Sequence, residues 1–268
     1  MTEPHIFTYD NFSEAAWYQG VNRHLAEISG IRPGDRVLDI GSGTGSSTAR
    51  ILEQMNNKGE VIALDRNQGY LNIAKQKLSK YPNVSFLEAD AARMAELIHG
   101  PVDASFIFNA IHLIGNRQKL FDGISSVLKP DGILAFNSAY FAENDSEFRR
   151  FQAELLVRIL RIFIRKGRDF SERERMDIFS SEEYRTEVIN AGFSVVHWEV
   201  SDVDIDPESM MDFYSDRNVV DYIAPELSPV DIQDLIILPL RELLEDLKEE
   251  GKTVLKNKWL FVVARKQK

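Results

Sequence analysis

The 268-residue chain has no cysteine. Cysteine nucleophiles, thiolate metal sites and disulfides are therefore excluded, while the compartment is only weakly constrained. Long apolar runs are missing too. No stretch reaches the ~18 uncharged apolar residues a spanning helix needs, so no transmembrane segment is expected. Positive charge is in deficit: 32 Lys and Arg face 42 Asp and Glu, for a formal net charge of −10. That balance argues against a nucleic-acid backbone as main partner, although a local basic patch can still bind an anion. The first eleven residues lack the basic-then-apolar order of a signal peptide, so the cytoplasm is the expected compartment. No internal repeat or low-complexity tract is present. With 44% hydrophobic residues and a mixed charged surface, the composition is that of a globular protein able to bury a core.

What is present is concentrated in one stretch, Val37-Leu38-Asp39-Ile40-Gly41-Ser42-Gly43-Thr44-Gly45. An apolar strand runs into a turn with glycine at alternate positions, and helical apolar spacing follows at Ala49, Ile51, Leu52 and Met55. Glycine lets the backbone turn sharply and lie against a ligand. Strand, glycine turn and helix N-terminus together make a nucleotide-type cofactor site in an open α/β sheet. The dinucleotide fingerprint G-x-G-x-x-G requires glycine at position 46, where serine stands; the third glycine comes one residue early, at Gly45. A tight strand–helix turn without a ligand is the plain alternative.

From Arg36 onward short apolar strands alternate with helix-period segments, which favours a mostly parallel sheet covered by helices. Strands are expected at Arg36–Ile40, Glu60–Leu64, Val84–Leu87, Ala104–Phe108 and Gly132–Asn137, and two more at Ser194–Val200 and Lys258–Ala264 complete seven. Helices are expected around Thr44–Met55, Gln68–Lys80, Met94–Ile98 and Arg117–Leu128, preceded by an amphipathic helix over Asn11–Ser29. Pro82-Asn83 and Lys129-Pro130-Asp131-Gly132 signal turns.

Two long segments exceed this pattern. Residues 138–191 contain a helix-like stretch from Glu147 to Lys166 and another near Ser181–Ala191. Residues 202–257 begin with Asp206-Pro207-Glu208, which reads as an N-cap, a first-turn proline and a favourable first-turn acid, and continue into a long apolar helix at Asp231–Glu250. The expected organisation is one elaborated domain over residues 1–268. It has a cofactor core at 30–137, helical lid insertions at 138–191 and 202–257, and closing strands at 193–201 and 258–265.

The D-x-G-x-G-x-G pattern of Asp39–Gly45 resembles the cofactor loop of class I S-adenosylmethionine-dependent methyltransferases of the small-molecule type. The resemblance implies a Rossmann-like, seven-stranded, mostly parallel sheet with helices on both faces and a helical lid, and S-adenosyl-L-methionine as cofactor. It places Gly41, Ser42, Gly43 and Gly45 beneath the methionine part of the cofactor, with Asp39 at its polar end. Asp65, at the end of the second strand, fits the acid that accepts ribose hydroxyls, a geometry shared with NAD sites; capping of the next helix is the other reading. Arg66 is placed to flank the adenine. Asp90 and Ala91 resemble the pair that meets the adenine edge, although Asp90 also fits a helix cap. Asn109, after the fourth strand, is the implied neighbour of the sulfonium. Lys129–Gly132 resembles the family's turn before its fifth strand.

His112 is the one histidine at the implied reaction edge and the candidate catalytic base, since neutral imidazole accepts a proton; packing under a lid is the alternative. Tyr9, Trp17 and Tyr18 are either core or a closure over the cofactor. Methyl transfer needs alignment of nucleophile, methyl and sulfur, exclusion of water and, where required, proton removal. No metal is expected, because the five histidines lack ligand spacing.

The expected partner is a small, partly apolar metabolite methylated on O, N or C. The first lid helix carries Arg149, Arg150, Arg158, Arg161, Arg165, Lys166 and Arg168 among apolar residues. A lid helix with a solvated charged face, neutralised by Glu172, Glu174 and Asp177, is preferred over peripheral contact with a membrane surface. Tyr140, Tyr214 and Tyr222 are candidate pocket walls. Two other function classes stay open: an adenosylmethionine-binding protein that transfers no methyl group, and an NAD-dependent oxidoreductase, for which no Tyr-x-x-x-Lys pair is present. Oligomeric state is not indicated.

Overall fold

The computed structural model describes residues 8–140, 146–165, 181–223 and 227–267. Lys166, Arg168, Glu172, Glu174 and Asp177, read above as part of the basic helix and its neutralising acids, lie outside these residues, as does the side chain of Tyr222.

Seven strands form one sheet in the order β3-β2-β1-β4-β5-β7-β6. They are β1 (Arg36–Ile40), β2 (Glu60–Asp65), β3 (Val84–Glu88), β4 (Val102–Phe108), β5 (Leu128–Ala139), β6 (Phe193–Ile205) and β7 (Leu255–Lys266). The pairs β1–β2, β1–β4, β2–β3 and β4–β5 are parallel, whereas β7 runs antiparallel to β5. The central strands are near-continuous apolar runs because helices cover both faces of a parallel sheet. Leu38, Ile40, Leu64, Ile107, Leu134 and Phe136 are all buried in one cluster. The Lys129–Gly132 turn is a bulge within β5. Leu128 pairs with Val102 and Ile133 with Ala104, so the intervening residues loop out, with Asp131 left-handed at φ 61°.

Two compact units can be distinguished within the chain. One comprises residues 19–143, 178–201 and 258–268 and contains most of the sheet; the other comprises residues 1–18, 144–177 and 202–257 and is helical. In the sheet unit, α2 (Ala16–Ser29), α3 (Ser46–Gln54), α4 (Gln68–Lys77), α5 (Met94–Leu97) and α6 (Arg117–Val127) follow the expected order. The helix near Ser181–Ala191, expected in the lid, belongs here instead, as α8 (Ser181–Asn190). The reason is an ion pair. Arg117 of α6, itself buried, donates twice to the Glu187 carboxylate at 2.8 Å and stacks over the Tyr184 ring at 5.2 Å.

The helical unit departs from expectation at three places. The first amphipathic stretch is two helices, α1 (Tyr9–Ser13) in this unit and α2, which from Gln19 on belongs to the sheet unit, with Glu14 closing the former. Its companions are α7 (Glu147–Arg165), α9 (Ser209–Ser215), α10 (Arg217–Ile223), α11 (Pro229–Ile232) and α12 (Leu238–Glu249). Asp206 does not cap α9 at the expected point. Its side chain accepts from the Glu208 N–H at 3.0 Å and its carbonyl from Ser209, forming a turn before the helix begins. The stretch Asp231–Glu250 contains a π-turn at Gln233–Ile237, because Pro239 lacks an N–H and its ring crowds the carbonyl one turn earlier.

Aromatic rings fill this unit's centre. Phe12 lies 5.0 Å from Tyr18, 4.9 Å from Phe213 and 5.7 Å from Trp17, and the Tyr9 and Tyr18 hydroxyls are 3.2 Å apart. Tyr214 is also enclosed, with burial raising its pKa and Gln152 as hydrogen-bond partner. Helix α7 buries Phe148, Phe151, Leu155 and Phe163 and keeps Arg158 in bonds to Glu154 and, on α12, to Asp246. Among the described residues no helix is long and apolar enough to cross a membrane.

Candidate active site

The sheet reverses its strand order between β1 and β4, so the crevice at their carboxyl ends is where an open α/β sheet binds ligands. The glycine turn leaves β1 at that point. Gly41 and Ser42 both donate to the Leu64 carbonyl of β2, at 2.8 and 3.0 Å, which folds the turn across the neighbouring strand. Gly41 is left-handed at φ 73°, and a Cβ there would stand 2.9 Å from the Ala110 Cβ beyond β4. Gly45, the N-cap of α3, is also left-handed, at φ 85°, and a Cβ would meet Ala74 and Leu78 of α4 at 3.0 Å. The early third glycine is thus required by the passage of α4.

Asp39 is fully buried, and its Oδ2 accepts the Ser47 hydroxyl at 2.8 Å and the Thr48 hydroxyl at 2.6 Å. The carboxylate therefore fastens the first turn of α3 to the end of β1. Burial raises its pKa to about 6, against the lowering effect of both hydroxyls, and the Asp65 charge adds to the rise. Among the described residues, Asp39 Oδ1 and the buried Ser42 hydroxyl have no hydrogen-bond partner.

Asp65 is nearly buried at the end of β2. Its Oδ2 accepts the Gly43 N–H and its Oδ1 the Asn67 N–H, both at 2.8 Å. It does not cap α4; that is the work of Asn67, whose side chain accepts from Tyr70. Burial raises the Asp65 pKa, opposed by these N–H groups and by the Arg66 charge. Arg66 itself is exposed.

Asp90 is exposed and caps a short 3₁₀ turn, Ala91–Arg93, accepting the Ala92 N–H at 2.7 Å. Ala91 opens that turn, so its own N–H has no helical acceptor. Asn109, just past β4, is left-handed at φ 52°. Its amide group is occupied: Nδ2 donates to Asn22 Oδ1 at 2.8 Å, and Oδ1 accepts the Trp259 indole N–H at 3.1 Å. The Asn109 backbone carbonyl lies outside this network of side-chain bonds.

His112 sits in a 3₁₀ turn, Ile111–Leu113, with Nδ1 3.3 Å from the buried Ser138 hydroxyl of β5. The residue keeps some contact with solvent, yet its imidazole is surrounded by protein, and desolvation pulls its pKa down to about 4. It is a neutral ring at physiological pH. Among the described residues no group of three or more His, Asp or Glu is arranged to hold a metal ion.

Sequence reading missed Asn22, Ser47, Thr48, Asn137 and Trp259. Asn137 carried a signal: a polar residue closing the apolar run of β5, now fully buried, with its Oδ1 accepting the Asn109 N–H at 2.9 Å. Asn22 and Trp259 lie 87 and 150 positions from Asn109, whereas Ser47 and Thr48 lie only 8 and 9 positions from Asp39, on the helix start where hydroxyl residues are ordinary.

A family model described as a methyltransferase domain matches residues 31–180. The ubiquinone/menaquinone biosynthesis C-methyltransferase UbiE of Photorhabdus laumondii is 28% identical over 189 residues, covering 65% of this chain and 72% of that protein. Its counterpart in Teredinibacter turnerae is 33% identical over 111 residues, 40% of this chain and 44% of that protein. Among solved structures, the cyclopropane synthase MmaA2 of Mycobacterium tuberculosis aligns with a TM-score of 0.58 at 16% identity, over 92% of this chain and 84% of that one. The phosphoethanolamine N-methyltransferase 2 of Haemonchus contortus, solved with S-adenosyl-L-methionine, aligns with a TM-score of 0.53 at 17% identity, over 98% and 61%. The structural likenesses establish the fold, and the family match covers more than half of the chain. The chain belongs to the class I S-adenosylmethionine-dependent methyltransferases.

Proposed function

We propose that the carboxyl edge of β1, β2 and β4 holds S-adenosylmethionine through Asp39, Gly41, Ser42, Gly43, Gly45 and Asp65, with Ala91 and the Asn109 carbonyl at its rim. We further propose that the acceptor is a small, partly apolar molecule methylated at carbon. The observation that carries the first part is a pair of buried oxygens without a partner among the described residues, Asp39 Oδ1 and Ser42 Oγ, beside a turn fastened to Asp65. Buried polar atoms of this kind call for a ligand that completes their bonding. Two buried carboxylates with raised pKa values also favour a cationic ligand, whose positive charge stabilises their ionised forms. An ammonium group suits Asp39, and ribose hydroxyls suit the remaining acceptor capacity of Asp65.

When bound, the cofactor supplies an electrophilic methyl group on a sulfonium. The chain's own contribution is alignment and exclusion of water. Gly41 lets the turn approach the β4 loop closely, Asp39 keeps α3 in place, and Asp65 holds the Gly43 N–H. His112, neutral and oriented by Ser138, hydrogen-bonds the acceptor. With its pKa at about 4 it is a weak base, so it orients a hydroxyl more readily than it stores the proton. Asp90 is assigned to capping, with Ala91 taking the adenine edge. Arg66, exposed after β2, flanks the adenine.

The acceptor proposal draws on the relatives named above as C-methyltransferases and on the aromatic interior of the helical unit. That unit, whose chain segments follow β5 and β6, is given the lid's role of choosing the acceptor. The test is direct. Calorimetry with S-adenosylhomocysteine measures the cofactor site, and product analysis against a panel of hydroxylated aromatic acceptors measures transfer. Stoichiometric binding with methylated product supports both parts. Binding without adenosylhomocysteine release from any acceptor sinks the transfer reading and favours non-transferring use of the cofactor.

A further inference from the structure

We propose that Asn22, Asn137 and Trp259 form a positioning clamp that locks Asn109 in its left-handed conformation and thereby sets the gap between the β4 end and the glycine turn. The inference rests on the cofactor reading of this edge and assigns roles to three residues outside the cofactor motifs.

The geometry points to a clamp because every polar group of Asn109 except its carbonyl is held from a different element. Its N–H donates to Asn137 Oδ1 at 2.9 Å, and more weakly to the Asn137 carbonyl at 3.2 Å, both on β5. Its Nδ2 donates to Asn22 Oδ1 on α2 at 2.8 Å, and its Oδ1 accepts from Trp259 Nε1 on β7 at 3.1 Å. Asn22 and Asn137 are fully buried, and Asn137 Nδ2 donates to the Val21 carbonyl at 3.2 Å, which fixes α2 to the same point.

Left-handed backbone is uncommon for a residue with a side chain, although asparagine tolerates it best. Here φ is 52°, and bonds from three elements oppose relaxation to an extended conformation. The next residue, Ala110, is the one a Cβ on Gly41 would strike at 2.9 Å. Rotation at Asn109 therefore moves the wall that faces the glycine turn. A buried polar network with all these partners is rigid and loses its geometry when one bond is removed.

Trp259→Phe keeps an aromatic ring, removes the indole donor and gives up part of the buried indole volume. In the ligand-free protein, amide exchange at Asn109 should accelerate about tenfold, the loss expected for one buried hydrogen bond. Affinity for S-adenosylhomocysteine should fall about five- to tenfold, by calorimetry. In an Asn109→Gly background, where glycine adopts positive φ unaided, Trp259→Phe should change affinity by less than about twofold. A merely structural Trp259 would lower the thermal midpoint in both backgrounds and leave affinity untouched. Unchanged exchange at Asn109, or an affinity loss of equal size in both backgrounds, overturns the clamp. If exchange accelerates but the unmodified chain binds no S-adenosylhomocysteine, the clamp stands and the cofactor reading fails. Asn22→Ala removes an acceptor from another element and repeats the test should Trp259→Phe not fold.

Discussion

The two units place their polar groups in opposite ways. In the sheet unit, several buried polar side chains at the carboxyl edge are bonded to backbone: Asp65 to Gly43 and Asn67, Asn137 to Asn109 and Val21. In the helical unit, the Ser228–Asp231 capping box closes a helix start, Arg158 ties α7 to Asp246 of α12, and aromatic rings pack around Phe12. A site for a ligand of fixed shape requires donors and acceptors at fixed points, and each must be held by the chain behind it. An apolar interior is held by volume and tolerates exchange among groups of similar size. The comparison teaches that substitutions at the sheet edge should be read in affinity, whereas those among the rings should be read in stability or acceptor choice.

Gly41→Val is the harshest way to test that contrast. A branched side chain at positive φ, against Ala110, combines backbone strain with a clash. Affinity for S-adenosylhomocysteine should drop at least about 100-fold, consistent with a few kcal/mol of strain. Retained affinity would mean that the turn is not the cofactor cradle. Asp65→Asn comes next. It exchanges a charge-assisted acceptor of the Gly43 N–H for an amide, and calorimetry should show a loss of about 10- to 100-fold.

His112→Gln should cost about tenfold in kcat and leave cofactor affinity within about twofold, the loss of one hydrogen bond to the acceptor. Its pH behaviour sharpens the result. The folded His112 pKa, about 4, lies below the ordinary 6.5. Its contribution to stability is therefore complete above 6.5 and is lost as pH falls towards 4. Asp39 runs the other way: its pKa rises from 3.8 to about 6, so its contribution is complete below 3.8 and is lost as pH climbs to about 6. Thermal midpoints measured from pH 4 to 7 should thus fall less steeply on the acid side in His112→Gln than in the unmodified chain.

The smallest effect belongs to the helical unit. Phe213→Leu, within the ring cluster, should shift S-adenosylhomocysteine affinity by less than about twofold while lowering the thermal midpoint. A large affinity loss there would erase the distinction between the units.

The geometry of the glycine turn is legible in the sequence because it is local. A strand, a turn of left-handed glycines and a helix start lie within eleven residues, and Asp65 follows at the end of the next strand. Asp90 was less so, since a carboxylate before a 3₁₀ turn reads equally as a cap or a ligand, and only its bond to Ala92 shows the cap. The helix near Ser181–Ala191, expected within a lid insertion, packs on α6 of the sheet unit; amphipathic spacing reveals that a helix buries one face, not what it buries it against, and the Arg117–Glu187 pair shows the partner.

By itself, the sequence determined the strand–helix order, the glycine turn and the acids at strand ends, all of which follow from short-range periodicity and backbone allowance. Only the tertiary structure decided that Asn109 would meet Asn22 and Trp259, residues 87 and 150 positions away, and that burial would lower the His112 pKa. Side-chain hydrogen bonds between distant elements leave no period in a sequence, and desolvation is a property of the surrounding fold rather than of the residue.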